Sequence, residues 1–211
     1  MSLHLYKQSL TLLPQNGQHI LAHQTGNDMV VYQAYKPGIA KFAVDNQFLG
    51  GPDFSFTRMS WIKPNFLWMM YRCGWAEKEN QERVLAIWIA QKDFEEILRQ
   101  AVFSSFNPQY YRDHDHWKNE LSLKEVRLQW DPDHDPYGNK VERRAIQLGL
   151  KGEMLRFFSS KIKSIEDITD FVNQQKNLLD HHGLDELEVP VETIFKTSDP
   201  ILNKQIGITT V

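Results

Sequence analysis

The chain has 211 residues, 41% of them hydrophobic and 24% charged, enough to bury a core within one globular unit. A formal net charge of −3 excludes bulk electrostatic attraction to nucleic acid or an anionic membrane, while leaving room for a local basic pocket. A single cysteine excludes an intrachain disulfide framework and a cysteine-built zinc site.

Residues 1–28 are polar and weakly periodic, and they predict an irregular arm. Met29 to Tyr35 predicts a first core strand, with Val31, Gln33 and Tyr35 on one face. That register sets the Gln33 amide beside the Tyr35 ring, or leaves Gln33 as an ordinary polar residue near a strand end. Pro37 suits the first turn of a helix running to about Phe48, and Gly50-Gly51-Pro52 ends it.

Phe54 to Trp75 (FSFTRMSWIKPNFLWMMYRCGW) is the organising stretch. It is strongly apolar yet carries Arg58, Lys63 and Arg72, and buried cations need partners. Phe54 to Ile62 predicts an extended segment, with Ser55 and Thr57 hydroxyls sharing one face. Pro64 disfavours helix at Lys63 and suits a helix start, so Asn65 to Arg72 predicts a short buried helix. Arg58, Ser60 and Lys63 flank that strand-to-helix turn, where helix amides and a basic side chain can hold phosphate. Cys73 reads as a buried free thiol. The longest apolar run, Phe66 to Tyr71, is far too short to cross a bilayer, and no leader is evident, so a cytoplasmic protein without a membrane partner is expected.

Val84 to Ala90 is apolar on both faces, as a central strand is. Asp93 with Glu96 predicts a helix cap, and the helix carries Phe94, Ile97, Leu98, Ala101 and Val102 inward. Tyr110 to Trp117 (YYRDHDHW) predicts a polar loop, and its His and Asp spacing fixes no metal site. Val126 to Trp130 and Arg143 to Leu150 predict a hairpin, with Arg127, Gln129, Arg143 and Gln147 on a polar sheet face. Arg144 falls on the apolar side and so requires a carboxylate or a ligand anion. Ser164 with Asp167 predicts the cap of a helix running to about Asp180 and ending at His181-His182-Gly183. Glu186 to Glu192 alternates cleanly, placing Leu187, Val189 and Val191 inward and Glu186, Glu188 and Glu192 outward. Pro190 makes it an edge or bulged strand. Two carboxylates on one strand face can serve a cleft or simply line a solvated edge. The residues after about 197 predict a loose extension.

Two resemblances follow. The runs RMSWIKPNFLWMMYRCGW, QERVLAIWI, VRLQWDPDH, RRAIQLGL and EDITDFV resemble the family known as domain of unknown function 4291, which implies no activity. The order Tyr32-Gln33-Ala34-Tyr35, Ser55-Phe56-Thr57 and Glu186-Leu187-Glu188 is more distantly similar to the three signals of ADP-ribosyltransferases. That likeness implies NAD as cofactor, Glu188 as the residue stabilising positive charge, Glu186 as its helper and Gln33 as a positioning residue. Tyr35 would face nicotinamide with Ser55 and Thr57 nearby, and Arg58, Lys63 or Arg144 would take the pyrophosphate. Gln33 departs from the Arg or His of that family, and Ser55-Phe56-Thr57 is two thirds of its motif.

The expected fold is α+β: a single domain over 1–211 with a curved, mainly antiparallel sheet, whole or split, and about three covering helices. The functional expectations are a nucleotide-using ADP-ribosyltransferase-like enzyme, a nucleotide- or RNA-binding module without catalysis, or an interaction domain. No metal is expected.

Overall fold

The computed structural model describes residues 1–209. It opens with β1 (Leu3–Leu5), α1 (Tyr6–Leu12), β2 (Leu21–Ala22) and β3 (Gln24–Thr25). The first 28 residues are therefore not an irregular arm. Tyr6, Ile20, Leu21 and Ala22 are buried, held by partners far along the chain that local periodicity cannot register.

β4 (Asp28–Tyr35) and α2 (Pro37–Asn46) fall where the hydrophobic pattern puts them. The expected extended run from Phe54 shrinks to β5 (Ser60–Ile62). Before it the chain turns, and Phe54 and Phe56 pack against the core from a loop. α3 (Phe66–Cys73) begins at Asn65, whose side-chain oxygen accepts from the Trp68 amide at 2.7 Å, and ends at Gly74 with φ 56. Phe66, Leu67, Trp68, Met69, Met70 and Cys73 are all buried, each large side chain contributing roughly 1.5–3 kcal/mol on leaving water.

There follow β6 (Arg83–Ala90), α4 (Gln91–Arg99), β7 (Ala101–Phe103), α5 (His114–Leu123), β8 (Val126–His134), β9 (Lys140–Leu150), α6 (Gly152–Lys161), β10 (Ile162–Asp167), α7 (Thr169–His182), β11 (Glu188–Pro190), β12 (Thr193–Ile194) and α8 (Pro200–Ile206). Several expectations change here. Asp93 sits in the first turn of α4 and does not cap it, and Ala101 and Val102 belong to a strand. The YYRDHDHW stretch runs into a helix, because Asp113 accepts from the His116 amide at 2.7 Å and caps α5. Ser164 is not a helix cap: residues 162–167 pair with β6, and the helix starts only at Thr169. The tail is not loose over residues 200–206, and residues 210 and 211 of the expected extension lie outside the described residues. Leu202 and Ile206 of α8 enter the core, and the Trp130 indole donates to the Ile206 carbonyl at 2.7 Å.

The strands form two four-stranded sheets, ordered β10-β6-β4-β3 and β5-β9-β8-β7. Every pairing within them is antiparallel except β7 with β8. Two ribbons, β1-β11 and β12-β2, tie distant segments together. The class is α+β. Met29, Val31, Leu85, Ile87 and Ile89 from the first sheet meet Ile62, Leu128, Ile146, Leu148 and Leu150 from the second in one core. A second cluster joins the other face of the first sheet, with Val30, Tyr32, Val84 and Ala86, to α3 and α7. β6 is apolar on both faces because both faces are covered. The two sheets touch edge to edge at one bridge, where Tyr32 and Lys63 exchange backbone hydrogen bonds of 2.7 and 3.1 Å.

Candidate functional site

Beyond that bridge β4 and β5 are joined only through their side chains, and a cavity of about 480 Å³ opens there. β4 supplies Gln33 and Tyr35, and the loop and strand around β5 supply Arg58, Met59, Ser60, Trp61 and Lys63. Arg72 comes from α3, Gln129 and Gln147 from β8 and β9, and Gln81 from the loop before β6. A second cavity of about 470 Å³ shares Tyr35, Arg58, Met59 and Ser60 with it and adds Ser55.

The side chains inside are held by one another. The Gln33 amide donates to Ser60 Oγ at 2.8 Å, and the Tyr35 and Ser60 hydroxyls are 2.7 Å apart. Burial pushes the Tyr35 phenol well above its ordinary range, so it stays a neutral hydrogen-bonding group. Gln147 donates to both Gln129 Oε1 and Asp131 Oδ2 at 2.7 Å. Gly149 keeps the wall open: a Cβ there would lie 2.8 Å from Met59 Sδ and 3.0 Å from the Trp61 ring.

Lys63 is 5% exposed. Burial, then the charge of Arg72, lowers its amine to about 7, while Asp131 and Cys73 act weakly the other way. Among the described residues none of Arg58, Lys63 and Arg72 has a carboxylate within 4 Å. No Asp or Glu lines the 480 Å³ cavity.

The structure thus brings together Gln33, Tyr35, Arg58 and Lys63, with Ser55 in the adjoining hollow. Thr57 is exposed and bonded to Ser55 at 2.9 Å. The two late glutamates are elsewhere. Glu188 pairs with Leu5 across β11 and β1, and its amide donates to Gln175. Glu186 is exposed and lies 3.3 Å from His182. Neither lines either hollow with Gln33. Glu192, expected outward, is buried. It accepts from the Phe66 amide at 2.6 Å and from Asn65 Nδ2 at 2.9 Å, and burial raises its carboxyl to about 8. The α3 N-terminus offered to a phosphate is therefore already filled by this chain's own side chain.

The remaining arginines separate as well. Arg143 is buried against Asp133 at 2.5 Å, so it is a structural pair and not part of a polar face. Arg127 donates to the Leu121 and Lys124 carbonyls at 2.6 and 2.7 Å, closing the C-terminal end of α5. Arg144 is exposed, not buried among apolar side chains. It still pairs with Pro132 in the regular register of β9, and it lies beside a third hollow lined with it by Gln129, Asp131, Phe106 and Tyr110. Sequence reasoning found Gln129 and Gln147 through their strand register. It missed Gln81 and the capping role of Glu192, for which no local signal exists. Among the described residues no group of three or more His, Cys, Asp or Glu is placed to hold a metal ion. None of their helices is long and apolar enough to cross a membrane.

Fold and site together define an α+β protein with an amide-lined cationic cleft at the junction of two sheets. The chain belongs to the family described as Domain of unknown function (DUF4291), whose match covers residues 19–195 and hence every residue of the cleft. Comparison with curated proteins gives no match.

Proposed function

We propose that the cleft binds a phosphate-bearing ligand, with a nucleotide as the first candidate. One observation carries this reading: Arg58, Lys63 and Arg72 line a single cavity that has no carboxylate in its wall. Three cations converging on one hollow, Arg58 and Arg72 from exposed positions and Lys63 from a buried one, favour an anion there, and arginine's planar fork suits phosphate oxygens. The fixed amides and hydroxyls of Gln33, Gln129, Tyr35 and Ser60 suit sugar hydroxyls or base edges.

A second reading, RNA, is favoured by the hollow that shares Gln129 with the cleft and presents Arg144 beside the Phe106 and Tyr110 rings. Half-buried rings beside an exposed cation suit unpaired bases and backbone, although Asp131 lines the same hollow. NAD and ADP-ribose belong among the probes because the transferase likeness names them, although Glu186 and Glu188 sit outside the cleft.

The test is calorimetric titration with ADP, pyrophosphate, NAD, ADP-ribose and a short single-stranded RNA, at low and moderate salt. Saturable, salt-sensitive binding of at least one nucleotide is expected, and Arg58→Ala with Arg72→Ala should abolish it at an unchanged melting temperature. Absence of binding by every phosphate compound at millimolar concentration would sink the reading. Binding of RNA alone, lost in Arg144→Ala, would select the second.

A further inference from the structure

Lys63 is a poor place for a stored charge and a good place for a free amine. Its backbone is fixed on both sides by Tyr32, and Pro64 follows, so the side chain enters the cavity from a rigid base. An ammonium has three donors to satisfy. Among the described residues the nitrogen finds one acceptor, the Trp61 carbonyl at 3.3 Å, and no Asp or Glu lines its cavity. The titratable and charged groups acting on it are Arg72 and Cys73 on α3 and Asp131 on β8, with Arg72 the strongest. Lysines that are desolvated and set beside another cation are the ones that act as nucleophiles. A second observation comes from the opposite wall. Gln33, which also lines the hollow, is 2% exposed, and among the described residues its buried Oε1 has no hydrogen-bond partner. An orphan acceptor of this kind can take a donor from a ligand that enters the hollow.

We infer that Lys63 is a nucleophilic amine that condenses with the carbonyl carbon of an anionic aldehyde or ketone, such as a sugar phosphate in its open-chain form. The inference rests on the phosphate-binding reading for the anionic end of that ligand, which Arg58 and Arg72 would hold. The amine lone pair forms the C–N bond, and the carbonyl π electrons move to oxygen, which takes up a proton. The resulting carbinolamine hydroxyl is a donor of the kind Gln33 Oε1 lacks. Loss of water then gives the imine, the carbonyl oxygen leaving with the two amine hydrogens and no oxidant or reductant being consumed.

The experiment uses the full chain with glycolaldehyde phosphate and, separately, uncharged glycolaldehyde. Borohydride reduction fixes any imine as a secondary amine, and peptide mass spectrometry locates it. Lys63 should be modified at least about tenfold faster than the other lysines near neutral pH, because more of it is unprotonated. Its rate should rise with a midpoint near 7, where exposed lysines respond near 10.5. Lys63→Met should lose that one site and leave the rest unchanged. Gln33→Leu should slow labelling while leaving its pH midpoint in place. Labelling of Lys63 no faster than the others, with either aldehyde, overturns the inference even if nucleotides bind. Equal labelling by charged and uncharged aldehydes supports the amine but counts against the phosphate-binding reading.

Discussion

Glu192 accepts a hydrogen bond from the Phe66 amide at 2.6 Å, across 126 positions of sequence. That contact ties the C-terminal third to the first turn of α3, the helix that carries Arg72 into the cleft. It also decides how an anion can be bound. The helix amides are occupied from within, so an anion bound as proposed would meet the cations and side-chain amides of the cleft instead.

The pH dependence of that contact is predictable. Burial raises the Glu192 carboxyl from 4.5 to about 8, so between those values the folded chain holds a proton that the unfolded chain has released. Stability from this group is complete below 4.5 and is lost as pH rises through 8. Glu192→Gln should flatten this slope in urea-unfolding curves measured across the range. Glu192→Ala leaves the Phe66 amide and Asn65 Nδ2 without partners and should cost on the order of 2 kcal/mol at neutral pH.

Lys63 has the opposite sign. Its amine falls from 10.5 to about 7, so the unfolded chain binds the extra proton between those values, and stability rises with pH there. Below 7 both states are protonated and the cost of burying the ammonium is fully felt. Lys63→Met should therefore raise the melting temperature, with a gain that is largest below about 7, shrinks as pH rises from 7 to 10.5 and is smallest above that. An unchanged or lowered melting temperature at all pH values would mean the ammonium is better solvated than its surroundings indicate.

The Arg143–Asp133 pair is structural. Its side chains are 8% and 1% exposed and 2.5 Å apart. Arg143→Met strands a buried carboxylate and should cost about 3–5 kcal/mol in denaturant unfolding. Adding Asp133→Leu should restore most of that loss, because it removes the stranded charge. A double variant as unstable as the single would show that the loss comes from packing.

Gly149 has an ordinary backbone but no room for a side chain. Its missing Cβ lets Met59 and Trp61 lie across β9 and shape the cleft wall. Gly149→Ala should cost about 1–3 kcal/mol by overpacking. It should also weaken any ligand of the cleft several-fold, read by titration against the parent protein. Full stability with full affinity would mean that the Met59 thioether simply swings aside.

Local patterns were sufficient for β4, α2, α3, β6 and the β8–β9 hairpin, because each carries its own periodicity and its own stop signal. The register of that hairpin paired Gln129 with Gln147 directly. Elements that depend on distant partners were not legible. β1 and β11 are three-residue strands that exist only because they pair with each other. Residues 162–167 carry a helix-like cap pattern, yet β6 recruits them as its neighbour. α8 is buried by contacts such as the Trp130 indole bond, which a terminal segment does not advertise.

That Gln33 and Tyr35 share a strand face, and that cations flank the turn before α3, is legible in the order of the residues alone. Both follow from spacing and from proline's fixed geometry. Which charges face one another was set by the fold. It set Glu186 and Glu188 apart from the cleft, buried Glu192 on the helix amides, paired Arg143 with Asp133, and left Arg58, Lys63 and Arg72 around one hollow without a carboxylate. Side-chain charge is a property of a residue, but whether it is neutralised depends on distance in three dimensions, and spacing along the chain does not encode that distance.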